Sequence, residues 1–266
     1  MPPARIALWV ASIGAAALLA RSLWFAPPPL WFAVAALIGY LALALAGVML
    51  PRLEMFADVM CQGDPGSRAV ALTFDDGPHP DTTRKILAIL ARGGHKATFF
   101  VVGCKARAYP EVLREIHEAG HELALHGDEH ARGYAFKTPA AVARDVERAR
   151  AAVERACGAR PARFRPPMVF ISPRTAAGAR KAGVTLVGYS VRGFDGLSGA
   201  RAERVVERVA RGLVGGAIVL LHDAAERDDF APASIEALPR ILRILDERGL
   251  AAMTLGELAE AGELAH

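Results

Sequence analysis

The stretch Ala69-Val70-Ala71-Leu72-Thr73-Phe74-Asp75-Asp76-Gly77-Pro78 is an apolar run that halts on two adjacent carboxylates and a Gly-Pro breaker. Residues 70–74 favour β structure and are too few for a helix, so the acids fall where a buried strand becomes a loop. In barrels of parallel strands that edge carries the chemistry. A lone Asp-Asp-Gly would read equally well as a solvated turn, so the weight rests on how the remaining chain is built.

Beyond a connector at residues 53–68, the chain alternates between two periodicities. Apolar runs fall at 70–74, 97–102, 122–125, 163–165, 185–189, 217–221 and 251–253. Between them, the pattern predicts a helix over 81–92 closed by Gly93, a helix opened by Thr138 with Pro139 at its first position and closed by Gly158, and a helix over 234–248 closed by Gly249. Strands alternating with helices imply a parallel α/β sheet, either a barrel or an open doubly wound sheet, over residues 69–261.

The first 52 residues obey a different rule. Between Ile6 and Ala20 the one polar side chain is Ser12, and from Leu30 to Leu50 there is no charge. At about 1.5 Å per residue the second segment is long enough for about 30 Å of hydrocarbon, and the first is too if Arg21 and Ser22 sit near the interface. Trp9, Trp24, Phe25, Trp31 and Phe32 suit headgroup depth, and Pro27-Pro28-Pro29 separates the segments. A transmembrane helical hairpin is expected, with a cleaved signal peptide as the other reading of the first segment.

Of 32 basic and 28 acidic residues, Arg5, Arg21 and Arg52 belong to the anchor, which leaves 29 against 28 in the domain. The high isoelectric point is therefore an anchor effect, and with no basic stripe interleaved by aromatics a nucleic-acid partner is not expected. Cys61, Cys104 and Cys157 are odd in number and widely spaced, and define neither a disulfide framework nor a zinc knuckle.

The polar residues of note gather at one edge of this alternation. Asp75 and Asp76 follow the first predicted strand, His126 the third, Arg165 ends the fourth, Asp195 lies after the fifth, and His222 with Asp223 follows the sixth. Within His126-Gly127-Asp128-Glu129-His130 the histidines are spaced to face one way on a helical turn, where both imidazoles could reach one ion at about 2.0 to 2.1 Å. One carboxylate of the Asp pair completes a three-ligand set with a position left for water, the catalytic type. Neighbours on an extended strand point to opposite sides, so one Asp can ligate while the other accepts a proton. Their adjacency argues against a glycosidase, whose carboxyls flank the scissile bond at about 5 to 9.5 Å.

Thr73-Phe74-Asp75-Asp76-Gly77, Ala97-Thr98-Phe99-Phe100-Val101-Val102-Gly103, His126-x-x-x-His130, Arg165-Pro166-Pro167 and Leu221-His222-Asp223 together resemble the successive motifs of the polysaccharide deacetylases, the chitooligosaccharide deacetylase homology domain or carbohydrate esterase family four. The resemblance runs from about Arg68 to Ala261 and implies a distorted (β/α)7 barrel. It implies Asp75 as general base and Asp76, His126 and His130 as ligands of one divalent ion, zinc, with cobalt, nickel or manganese able to substitute. It implies His222 as general acid, Asp195 as its acidic partner, Arg165 beside the base, and the backbone N–H of Met168 as oxyanion donor.

Some positions depart from the family pattern. Gly127 stands where Ser or Thr is frequent, Met168 and Val169 replace Tyr-Gly, and Arg192 and Gly196 stand where Asp and Trp are common. The inferred catalytic set survives, while the groove lining differs. The remaining histidines, His79, His95, His117, His121 and His266, are assigned to loops or helix surfaces, with His79 able to border the site.

The leading function is a membrane-anchored hydrolase that removes N-acetyl groups from an N-acetylated sugar or cell-envelope glycan. Hydrolysis of another C–N bond, such as a cyclic imide, and a non-catalytic glycan-binding role are the alternatives. Two spans place the amino terminus and the domain on one side of the membrane. Arg21 favours a cytoplasmic hairpin loop, Arg5 and Arg52 oppose it, and a glycan substrate favours an extracytoplasmic domain.

Overall fold

The computed structural model describes residues 1–227 and 229–263. Two helices open the chain, α1 (Pro3–Trp24) and α2 (Leu30–Met49), and both are long and apolar enough to cross a membrane. No residue of α1 is buried, and Gly47 alone is buried in α2, so their apolar faces are available to lipid.

Then come β1 (Ala69–Asp75), α3 (Thr82–Gly93), β2 (Thr98–Val101), α4 (Gly103–Ala108), α5 (Pro110–Glu118), β3 (Glu122–Leu125), α6 (Pro139–Cys157), β4 (Arg163–Phe164), α7 (Pro173–Lys181), β5 (Thr185–Leu186), β6 (Val191–Arg192), α8 (Ala202–Gly212), β7 (Ile218–His222), α9 (Ser234–Glu247), β8 (Ala251–Met253) and α10 (Leu255–Glu263). The strands pair in parallel in the order β5-β4-β3-β2-β1-β7-β6, with β8 on β1. This curled sheet wrapped by helices is a distorted (β/α)7 barrel. Every residue of β1 is buried, as expected of a central parallel strand covered on both faces.

Local chemistry accounts for the helix ends. Thr138 Oγ1 accepts the N–H of Ala141 and Pro139 occupies the first turn of α6, while Gly158 closes it at φ 77°. Ser172 caps α7 in the same way through the N–H of Thr175.

The sheet has an open side between β5 and β6, and the connector fills it. Met60 bridges Val187 and Gln62 bridges Ala217, while Val59 and Cys61 join the core. All three cysteines are free thiols.

Two expectations need correction. The run at 185–189 is strand only at Thr185–Leu186, and a further strand, β6, follows at Val191–Arg192, so Asp195 lies after the sixth strand and His222 closes the seventh. The segment from His126 to His130 is a loop, because Gly127 takes φ 86° and breaks any helical turn. His95 and His121 lie in loops, as expected, and are buried there: His121 packs on Phe99, accepts the Ala97 N–H at 3.2 Å, and is pushed down to about 4 by burial and then by Lys96. His117 is exposed on α5, and His266 lies outside the described residues.

Candidate active site

β1 delivers Asp75 and Asp76 to the edge of the barrel and then turns. Asp76 takes φ 74°, a conformation Asp tolerates better than most residues. The following Gly77 is required by crowding, since a Cβ there would lie 2.0 Å from Asp223 Oδ2. Asp223 is fully buried and accepts the Thr83 hydroxyl at 2.5 Å; burial pushes its carboxyl up to about 7. It supports the turn from beneath.

The two acids face different partners. Asp75 accepts a hydrogen bond from Arg165 at 2.7 Å. Arg165 is fully buried, donates also to Thr73 Oγ1 at 2.8 Å and the Gly188 carbonyl at 2.6 Å, and stacks under Phe100 at 4.0 Å. Burial, the largest single influence, would raise the Asp75 pKa, but Arg165, His126 and His222 together outweigh it and hold the carboxyl below its ordinary value.

Asp76 instead faces the histidines. Its Oδ1 lies 3.4 Å from Nε2 of both His126 and His130. That oxygen is buried and receives no hydrogen bond. His126 Nδ1 is 2.7 Å from the Arg165 carbonyl, which fixes the proton on Nδ1 and turns the Nε2 lone pair toward Asp76. Burial, first, lowers the His126 pKa and keeps the ring neutral. One side-chain donor atom from each of Asp76, His126 and His130 lies within 4.8 Å of the other two. An orphaned carboxylate oxygen facing two imidazole nitrogens fits a divalent cation with mixed N/O preference.

His222 ends β7 directly opposite Asp75 in the β1–β7 register. Asp195 grips it twice: Oδ2 accepts the His222 backbone N–H at 2.7 Å and Oδ1 sits 3.1 Å from Nδ1. Burial alone would lower the His222 pKa, but Asp195 and then the more distant Asp76 and Asp75 raise it to about 9. Gly196 makes room for the ring, since a Cβ there would lie 2.8 Å from it. Met168 and Val169 flank the groove at φ 60° and 56°, left-handed values that are unusual for Met and strained for a β-branched Val.

These side chains line one groove of about 580 Å³, within the range of small-molecule sites. The structure thus brings Asp75, Asp76, His126, His130, Met168 and His222 to one cavity, with Arg165 and Asp195 buried behind it. His79 stays outside that lining and its Nδ1 accepts backbone N–H groups of Asp81 and Thr82.

The chain belongs to the polysaccharide deacetylase family. A family model described as polysaccharide deacetylase matches residues 62–187. A chitooligosaccharide deacetylase of Sinorhizobium fredii is 34% identical over 196 residues, covering 69% of this chain and 88% of its own. A chitooligosaccharide deacetylase of a Bradyrhizobium species is 34% identical over 222 residues, covering 77% of this chain and 98% of its own. Among solved structures, the peptidoglycan deacetylase PdaC of Bacillus subtilis superposes with a TM-score of 0.67 at 28% identity, over 76% of this chain and 95% of that one. The family's fold is the barrel described above, and its members' chemistry makes this chain a deacetylase of the hydrolase class.

Two residues of this deacetylase site escape the sequence pattern. Glu226, held by Arg132 at 3.1 and 3.2 Å, brings Oε1 within 3.8 Å of His130 Nδ1. Asp145, on α6, accepts the Asp128 N–H at 2.9 Å, the Tyr134 hydroxyl at 3.0 Å and Lys137 at 2.6 Å, and so braces the loop between the two histidines. Neither belongs to one of the motifs; each is recognisable once the chain is folded.

Proposed function

We propose that this chain is a membrane-anchored, metal-dependent N-deacetylase of an N-acetylated sugar in the cell envelope. Asp76, His126 and His130 hold one divalent ion, zinc in the first instance. When bound, that ion supplies Lewis acidity toward the substrate carbonyl and lowers the pKa of water.

Asp75 is the general base. It is kept ionised by Arg165 and accepts a proton from the attacking water as oxygen adds to the acetamide carbon. In this scheme the backbone N–H of Met168, at the groove, donates to the oxygen that gains charge. As the tetrahedral carbon collapses and the C–N bond breaks, His222 gives its proton to the departing nitrogen, without which an amine anion would have to leave. The products are acetate and a free amino sugar.

The observation that carries this reading is the opposition of Asp75 and His222 across one strand pair, the acid held ionised by a cation and the histidine held protonated by an anion. Environments that push two groups' pKa values apart mark a base and an acid. The chain's own departures at Met168, Val169, Arg192 and Gly196 line the groove and set which glycan enters. The apolar hairpin anchors the domain, on the extracytoplasmic side where envelope glycans lie.

Incubating the purified full chain with N-acetylated glucosamine oligomers and with peptidoglycan fragments tests this reading. Acetate release that chelation stops and zinc restores is expected. No acetate from a folded, metal-loaded protein would overturn it.

A further inference from the structure

The hairpin does more than tether. The carbonyl of Val48, in the last turn of α2, accepts the backbone N–H of Ile171 at 3.0 Å. Ile171 lies three residues beyond Met168, so the groove wall begins within about 10 Å of the helix end. A second link runs from Pro51 and Cys61 to Gly188, whose carbonyl receives the Arg165 guanidinium. Arg5 adds a clamp at the base of the hairpin, donating to the Glu54 carbonyl at 2.9 Å and to Asp58 at 2.8 Å. The catalytic edge of the barrel is thereby fixed at the end of the apolar helices rather than swung clear on a linker.

The groove carries two further features. Met168, Phe194 and Leu197 rim it with exposed apolar side chains. Arg192 lines it without an ion-pair partner among the described residues: its Nε is buried with no acceptor, and its guanidinium stacks on Phe194 at 4.8 Å and Tyr189 at 5.7 Å. Of the acids that line the groove, Asp75 is engaged by Arg165, Asp76 faces His126 and His130, and Glu226 is engaged by Arg132, with Asp229 at the rim. A stacked guanidinium with a free fork suits a phosphate.

Resting on the deacetylase reading above, we propose that the substrate is an N-acetylated sugar joined through a phosphate to a membrane lipid. Arg192 reads the phosphate and the apolar rim lies along the lipid.

The test uses the full chain in nanodiscs of neutral phospholipid and measures acetate release. The substrates are N-acetylglucosamine phosphate esterified to a polyprenol, a neutral polyprenyl glycoside of the same sugar, and the soluble sugar phosphate. Membrane presentation should favour the polyprenyl phosphate over the soluble sugar phosphate by about a hundredfold in kcat/KM. Arg192→Gln should raise KM for the lipid phosphate about tenfold more than it raises KM for the neutral glycoside. Equal turnover of the soluble sugar phosphate would overturn membrane presentation. Equal loss on both lipids, or none on either, would overturn the role of Arg192. Acetate from none of the three would remove the deacetylase reading itself, and this substrate class with it.

Discussion

Replacing Asp195 with Asn should move one limb of the pH profile and leave the protein folded. In the parent, Asp195 holds His222 at about 9 against a burial that works in the other direction. Without that carboxylate the ring should return to its ordinary value near 6.5 or fall below it. At pH 8 a histidine of pKa 9 is about nine-tenths protonated and one of pKa 6.5 about 3 per cent, so turnover should drop roughly thirtyfold. At pH 6 the loss should be less than about twofold. Asn keeps an acceptor for the His222 backbone N–H, now 2.7 Å from Oδ2, so gross structure should survive. A cation at Asp76 would lower the limb in both proteins, and the difference between them carries the test.

Linkage gives an independent readout. A histidine whose pKa is raised by folding contributes stability that is full below about 6.5 and is lost as pH rises through about 9. Thermal stability of the parent should therefore decline across that window, and Asp195→Asn should flatten the decline. An upper limb that does not move in a folded variant would refute His222 as the proton donor.

The other expectations follow from the same geometry. Asp75→Asn should retain metal and lose nearly all turnover, whereas Asp76→Asn should lose metal, as elemental analysis would show; the reverse pattern would mean the two roles are exchanged. Arg165→Met leaves Asp75 buried without its cation, which should cost about 3–5 kcal/mol and lower the melting temperature by roughly 6–20 °C. An unchanged melting temperature would contradict the ion pair's place in the core. Gly196→Ala should press on the His222 ring, where the added Cβ lies 2.8 Å away, and cut turnover with metal content unchanged; full activity would mean the ring is free to move.

The barrel was legible because its central strand is unambiguous: β1 is buried throughout and ends on Asp75, so the placing of Asp75 and Asp76 where strand becomes loop follows from the apolar run and the Gly-Pro breaker. Thr138, Pro139 and Gly158 marked α6 for the same kind of local reason. What the sequence hides is set by tertiary contact. β6 has two residues and shows no alternation, so Asp195 looked one strand earlier than it is. The histidine pair was spaced like a helical turn, yet the turn is a loop braced from α6 by Asp145, which no local pattern links to it. His121 looks like any polar residue at a strand entrance, and only the fold shows that it is covered. The contact between α2 and the loop after Met168 joins segments more than a hundred residues apart, and no motif spans them.

Acetate release measured against metal content tests the central claim most directly. The full chain is stripped by a chelator, titrated with zinc, and assayed on an N-acetylated glucosamine substrate, with His126→Ala and His130→Ala in parallel. Activity should be absent in the stripped protein, rise in proportion to metal up to one ion per chain, and fail to return in either variant because neither retains the ion tightly. Acetate release that persists without metal, or metal binding unchanged in both variants, would contradict the assignment of Asp76, His126 and His130 and the mechanism built on it.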